Sequence, residues 1–316
     1  MSGINGILSW KRDVRQCMTA MNRSLAYHDS ALLDLPVDEH FALIQQQTKR
    51  DSSVAGVGHP GRFGDWVLAY IGKIYNSEEL EKNLIYRGYS FTSANDAELV
   101  LKAWDCWGEE CLPRLEGQFA FCIANAAEQR FHLCRDRFGT KPLFYSNTDN
   151  EFLFSSNLRT LMQARSRKPE PDLDALAVFL AIHYVPAPQT GWKYLQKLRP
   201  GHILTATYSG GQLQVAEPVA WHRPFSPIDT KEGISLDKLD RVLAQSVQEK
   251  MGNAPPIGAF LSGGVDSSLI CHYASQHSTE PLHTFSIGFT DAGPEYDETA
   301  YALQAAQAIG ARHHAV

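Results

Sequence analysis

The sequence predicts an α+β fold followed by the opening of an α/β, parallel-sheet fold. Three observations carry this. Over residues 1–223, short apolar strand-like runs alternate with helical ones and no fixed βα order holds. From Ile257 the order becomes strand, loop, helix, strand, helix, which implies parallel strands joined by helical crossovers. The 316 residues, 44% of them hydrophobic, suffice for two separate cores.

The elements follow in chain order. Trp66–Ile71 is β-branched and aromatic between Gly64 and Gly72, a strand signal. Ala97–Trp104 has helical spacing, with Asp96 placed to cap it. Gln118–Ile123 and Arg130–Cys134 read as buried strands joined by a polar turn. Phe144-Tyr145 and Glu151–Phe154 bracket another turn, Ser146–Asn150. A helix opens at Pro169–Asp174 and runs through Tyr184, capped by Asp172. Ile203–Tyr208 and Gln212–Val215 flank Ser209-Gly-Gly211, a hairpin turn rather than a phosphate loop. Pro224–Ile234 reads as a linker, and Leu236–Met251 has an amphipathic helical period. Beyond it come a strand at Ile257–Leu261, a small-residue loop at Ser262–Asp266 and a helix at Ser267–Gln276. A strand at Leu282–Phe289 and a helix at Tyr296–Ala308 complete the pattern.

Composition excludes several classes. The net charge is -6, so there is no basic excess for nucleic acid. The N-terminus lacks a signal-peptide pattern. The longest apolar run, near Leu176–Val185, is about half of the ~20 residues a membrane span needs. A soluble, cytoplasmic protein is expected. The cysteines Cys17, Cys106, Cys111, Cys122, Cys134 and Cys271 show no zinc spacing, and reduced structural thiols are expected. Arg312-His-His314 has no third ligand nearby and reads as a strand start.

Leu261-Ser-Gly-Gly-Val-Asp-Ser-Ser268 carries the chemistry. It lies between a strand's C-terminal end and a helix N-terminus, where parallel sheets bind ligands. Gly263 and Gly264 let backbone amides approach an anion, and Ser262, Ser267 and Ser268 offer hydroxyls. Asp266 supplies an oxygen for Mg2+. The lysine of a Walker loop is missing.

This SGGxDS pattern resembles the PP-loop of ATP pyrophosphatases. The resemblance implies that the loop, from Leu261 to Ser268, holds the phosphates of ATP while a carboxylate attacks the α-phosphate. It also implies that the strand Thr284–Phe289 holds adenine, with Ile287 the position carried over. The first half resembles the class II glutamine amidotransferase domain of asparagine synthetases. The matching stretches are Ser2–Ile7, Gly72-Lys-Ile-Tyr-Asn76, Asn95-Asp-Ala-Glu98, Gly117–Phe121, Arg135–Leu143 and Lys197–His202. The resemblance implies an Ntn-hydrolase-like αββα sandwich of two antiparallel sheets, with Gly72 and Asp96 in a glutamine-binding site. It implies a structural ion-pair block at Arg135, Asp136, Arg137 and Lys141.

The departures are as informative. The family's cysteine nucleophile is Ser2 here, and its HRGPD stretch reads His28-Asp-Ser-Ala-Leu32. The arginine that clamps the glutamine carboxylate is expected near Phe41–Ile44, which is apolar. Ile71 stands at the oxyanion-hole asparagine, and losing one such donor costs on the order of 10²–10³ in rate. Lys73 replaces a glutamate. Whether Asp96 still binds an amine or only caps a helix, and whether Arg50 or Arg62 replaces the clamp, stay open.

The expected organisation is a glutaminase-like domain at 1–223, a linker at 224–234 and an incomplete synthetase domain at 235–316. The expected activity is an ATP- and Mg2+-dependent amide-forming ligase. It would adenylate a small carboxylic acid, with aspartate the first candidate, and accept ammonia, another amine or glutamine nitrogen. A glutamine-hydrolysing enzyme using Ser2 and a non-catalytic scaffold are the alternatives. From Ser262 onward only 55 residues remain, too few to cover both faces of a doubly wound sheet. The chain alone is therefore expected to have little synthetase activity, with a homodimer or a second chain completing the site.

Overall fold

The computed structural model describes residues 3–25, 30–48, 61–93, 95–148, 150–165, 168–223, 235–252, 257–288 and 297–316. They fall in two compact units, Met1–Ser226 and Pro227–Val316. The expected linker at 224–234 lies outside the described residues.

The first unit contains β1 (Gly3–Leu8), α1 (Val14–Leu25), β2 (Ser30–Pro36), β3 (Phe41–Thr48), β4 (Arg62–Phe63) and β5 (Trp66–Ile74). It continues with α2 (Ser77–Tyr86), α3 (Asp96–Trp107), a 3-10 turn (Gly108–Arg114), β6 (Gly117–Asn125), β7 (Arg130–Arg135), β8 (Phe144–Thr148) and β9 (Glu151–Ser155). The helices α4 (Leu158–Ala164) and α5 (Leu173–Ile182) come next. The strands β10 (Gln196–Lys197), β11 (His202–Ser209), β12 (Gln212–Val215) and β13 (Val219–Ala220) close the unit.

Two antiparallel sheets form. One runs β10-β8-β9-β1-β3-β2, and the other runs β12-β11-β7-β6-β5-β4 with β13 beside β11. Strand periodicity builds three cores from them. Ile4, Leu8, Phe41 and Leu43 of the first sheet pack against Val67, Ala69, Ile71, Ala120 and Cys122 of the second. The opposite face of β5 and β6, with Leu68, Tyr70, Phe119 and Phe121, takes α2 and α3. Ile7, Ala42 and Ile44 on the other outer face take α1 and α4. The layers are helix, sheet, sheet, helix, as the resemblance implied. Both faces of β1 are buried along its whole length, including the polar Asn5.

Several boundaries differ from expectation. The cap of α3 is Asn95, whose side chain accepts the N–H of Ala97; Asp96 is already inside the helix. The turn between β8 and β9 is shorter, because Ser146–Thr148 continue β8. Asp172 caps α5 by accepting the N–H of Ala175, but α5 stops at Ile182 because His183 takes a left-handed φ of 61°. The hairpin is as expected, with Ser209 opposite Gln212.

The Arg135–Lys141 block is structural but holds backbone rather than forming ion pairs. Arg135 donates to the carbonyls of Lys141, Leu198 and Gly139 at 2.8, 2.5 and 2.6 Å. The Asp136 carboxylate accepts the N–H groups of Phe138, Thr140 and Lys141, each at 3.0 Å. All six cysteines are free.

The second unit contains α6 (Leu236–Met251), β14 (Gly258–Phe260), α7 (Val265–His277), β15 (His283–Ser286), α8 (Thr299–Ala308) and β16 (Arg312–Ala315). The strands lie in the order β14-β15-β16, all parallel. Among its described residues this unit thus has three strands, Arg312–Ala315 adding one to the two expected. His313 joins β16 to β15 through Thr284 and Ser286 at 3.0 and 2.9 Å. Among the described residues no cluster of His, Cys, Asp or Glu suits a metal on its own. No helix of the described residues is long and apolar enough to cross a membrane.

Candidate functional site

Two places bear on chemistry, one in each unit. In the first unit, Ser2, His28, Asp29 and Arg50 lie outside the described residues, and β2 begins at Ser30. The remaining predicted positions converge around the end of β5. Gly72 is required there by its neighbours. Its φ is +147°, and a Cβ would lie 2.1 Å from the Gln118 carbonyl oxygen across the strand pair. Close approach of β5 and β6 therefore accounts for this glycine.

Asp96 is free to turn back on β5 because Asn95 does the capping. Its Oδ2 accepts the N–H of Ile74 at 2.8 Å, and its Oδ1 accepts from Lys73 Nζ at 3.1 Å. Capping was thus the wrong role for it. Asn76 clips the following 3-10 turn, donating to the Arg114 carbonyl and accepting the N–H of Glu116, both at 3.0 Å.

The described positions where departures were expected are filled as follows. Ile71 is 5% exposed and sits in the core between the sheets. Along Phe41–Ile44 the side chains alternate between that core and the one under α1, so no cation stands there. Arg62 donates to the Pro36 carbonyl, at the other end of β2 from Ser30. Sequence reasoning missed Gln45, one residue past the apolar stretch. It is buried, and its Oε1 accepts the N–H of Tyr70 at 3.1 Å. It also missed Glu98, which accepts the N–H and hydroxyl of both Thr92 and Ser93 at 2.7–3.1 Å and so fixes the loop ahead of Asp96. The unusual Asn-Asp-Ala-Glu spacing was the available signal.

In the second unit, Leu261 directly follows the largely exposed strand β14 and is itself buried, at 1% exposure. Its N–H donates to the Phe285 carbonyl at 2.9 Å, holding the loop to β15. Ser262, Gly263 and Gly264 then turn the chain, and α7 begins at Val265. Asp266, Ser267 and Ser268 therefore stand in the first turn of the helix, two residues earlier than the pattern suggested. Gly264 is the cap residue and provides no side-chain acceptor, so the first N–H groups of α7 point out unfilled by a cap. Those donors and the positive helix end suit an anion.

Gly263 is needed for packing. At φ +84° its Cβ would meet Ala302 N and Tyr301 C at 2.6 Å. Gly264, by contrast, has φ -69°, and its Cβ would rest 3.4 Å from Ser262 Oγ. The loop hydroxyls bond one another: Ser262 Oγ lies 3.0 Å from Ser267 Oγ and accepts the Gly264 N–H at 3.3 Å. Asp266 is exposed on the same turn.

Ile287 follows the last residue of β15 and is 63% exposed, so it is not a buried strand residue. Next to it, a Cβ on Gly288 would lie 3.3 Å from Thr299 Cγ2 and 3.7 Å from Asp297 Oδ1. The loop and the end of β15 thus both abut the N-terminal half of α8. Tyr296 lies outside the described residues.

Comparison with known proteins agrees with this layout. A family model described as a glutamine amidotransferase domain matches residues 1–216, and one described as asparagine synthase matches residues 238–316. The chain is 32% identical over 256 residues to asparagine synthetase [glutamine-hydrolyzing] 1 of Bacillus subtilis, covering 80% of this chain and 39% of that protein. Asparagine synthetase [glutamine-hydrolyzing] 3 of the same organism is 27% identical over a 336-residue alignment, covering 99% and 54%. A putative asparagine synthetase [glutamine-hydrolyzing] 2 of Methanocaldococcus jannaschii is 30% identical, covering 79% and 48%. The chain thus spans about half, or less, of the length of these relatives. Among solved structures, a glutamine phosphoribosylpyrophosphate amidotransferase from B. subtilis superposes with a TM-score of 0.50 at 13% identity, covering 99% of this chain and 80% of that one. At that identity the likeness concerns the fold alone.

Proposed function

The chain belongs to the asparagine synthetase family, with a glutamine amidotransferase domain ahead of an asparagine synthase segment, and on that premise we propose that it serves an ATP-dependent, amide-forming ligase. Residues 1–223 are the glutaminase-like part and 235–316 the nucleotide-binding part, joined by 224–234. One observation carries the reading: a parallel strand ends at Phe260, Leu261 and a Ser-Gly-Gly loop follow, and α7 opens with an uncapped first turn beside Asp266.

The residues fit ATP. The N–H groups at the start of α7 receive phosphate oxygens, and the Ser262 and Ser267 hydroxyls exchange their mutual bond for the ligand by rotation. The exposed carboxylate of Asp266 would hold Mg2+ together with the phosphates, and one carboxylate is an ordinary protein share for that ion. Bound Mg2+ supplies charge neutralisation. A substrate carboxylate oxygen bonds to the α-phosphorus and pyrophosphate leaves. An amine nitrogen then bonds to the acyl carbon and AMP leaves. Aspartate is the acceptor we propose, with ammonia or another amine as donor, in the cytoplasm. A second copy or a further polypeptide segment supplies the acceptor pocket.

Glutamine hydrolysis is the impaired half. Ile71 sits in core rather than offering a donor, Phe41–Ile44 offers no cation, and Asp96 already holds Lys73. Titration of the chain with ATP and Mg2+ tests the nucleotide reading. Binding that weakens at least tenfold in Asp266→Ala supports it; no binding by the folded chain overturns it. Ammonia release from glutamine, abolished by Ser2→Ala, would overturn the impaired-glutaminase half.

A further inference from the structure

Lys73 directly follows Gly72 near the end of β5, and its side chain spans to α3. Its Nζ lies 3.1 Å from Asp96 Oδ1. The other oxygen of that carboxylate is pinned to the backbone by the Ile74 N–H at 2.8 Å. The carboxylate is thus fixed in orientation, and the oxygen that remains is met by an ammonium group. The two ends differ in freedom: Asp96 is 11% exposed at its side chain and Lys73 62%. A set, nearly buried acceptor faces a mobile cation on a four-carbon stem.

An α-amino acid offers the same chemical group, a primary ammonium, to the same oxygen. We propose that Lys73 is a tethered competitor for Asp96, a specificity-determining residue that turns the Asp96 carboxylate away from ligands carrying a free α-ammonium. This rests on the reading that Asp96 faces the glutamine amine. Two effects set its size. Tethering keeps the lysine ammonium at a high local concentration, so an incoming amine competes with an intramolecular partner. The displaced Lys73 returns to water at little cost, because an exposed ion pair is weak. The competition is therefore worth about tenfold in ligand affinity and falls short of complete exclusion.

Lys73→Met keeps the stem and removes the charge. Lys73 is exposed, so the substitution removes no core contact, and a thermal melt checks folding. The probes are L-glutamine and glutaramic acid, which is glutamine without the α-amino group, titrated calorimetrically into the full chain without ATP. L-glutamine is expected to bind Lys73→Met about tenfold more tightly than wild type, while glutaramic acid shows no gain. Adding Asp96→Asn to Lys73→Met is expected to cancel the gain. Equal L-glutamine binding by wild type and Lys73→Met overturns the proposal and leaves the reading of Asp96 standing. An equal gain for both probes overturns it in favour of a steric effect. No L-glutamine binding by either protein removes the reading of Asp96 and the proposal with it.

Discussion

The carboxylate of Glu98 and the ammonium of Lys102 bond one turn apart on α3 while both are buried, at 3% and 5% side-chain exposure. Lys102 also donates to the Ser90 carbonyl, and its Nζ lies 4.3 Å from the centre of the Phe91 ring. Glu98 holds the N–H groups of Thr92 and Ser93. Together the pair ties residues 90–93 to the helix that carries Asp96.

Breaking that pair leaves an uncompensated buried charge. Glu98→Gln is expected to destabilise the first unit by about 3–5 kcal/mol at neutral pH. Burial by itself would raise the Glu98 carboxyl, but the bonds from Lys102, Ser93 and Thr92 prevail and bring it to about 2, below the usual 4.5. A carboxyl depressed on folding stabilises fully above its unfolded value and loses that contribution as pH falls towards the folded one. The gap between wild type and Glu98→Gln in urea unfolding should therefore narrow as pH drops from about 4.5 to about 2. A gap that stays constant across that range would refute the assignment.

The two glycines of the Ser262–Gly264 loop should respond differently. Gly263→Ala drives a Cβ into the α8 backbone at 2.6 Å from a positive φ, and both strains act together. A loss of about 2–4 kcal/mol in the second unit is expected. Gly264→Ala, at ordinary φ with 3.4 Å clearance, should cost less than about 1 kcal/mol. Hydrogen exchange across 257–288 and 297–316 separates the two; similar protection in both variants would show that α8 does not constrain the loop.

Local chemistry was legible in the sequence, and partners distant along the chain were not. The α6 helix runs from Leu236 to Met251 as its period indicated, and β11–β12 turns where two adjacent glycines sit. Asn95 and Asp96 are adjacent and both able to cap; only the Asn95 bond to Ala97 decides between them. The start of α7 was misplaced because Asp266 reads as a loop residue after two glycines, whereas it fills the first helical turn. The Lys73–Asp96 and Gln45–Tyr70 contacts join residues more than twenty positions apart, for which no periodicity gives a signal. Ile71 was legible as apolar, but its place between the sheets depends on which face of β5 turns inward.

His132 gives the first unit a second, milder acid sensitivity. It lies on β7, opposite Thr205 of β11, and its Nδ1 is 3.0 Å from Thr205 Oγ1. Trp104 packs against the ring at 4.9 Å between centres, and the side chain is 5% exposed. Glu109 Oε1, at 3.7 Å from Nδ1, is the nearest acidic group, and Arg130 on the same strand opposes a positive charge. Burial, aided by Arg130, lowers the imidazole to about 4 from the usual 6.5. The fold thus favours the neutral ring. Its contribution is complete above the unfolded value and is lost as pH falls from about 6.5 to about 4, where the unfolded chain binds the extra proton. That window lies above the one set by Glu98, so the two are separable. His132→Gln, which keeps a group able to bond Thr205 but does not titrate, should flatten the stability profile between pH 6.5 and about 4.5 and leave the fall below 4.5 in place. Urea midpoints measured in half-unit steps decide it: an unchanged slope in the variant would assign the loss to other groups.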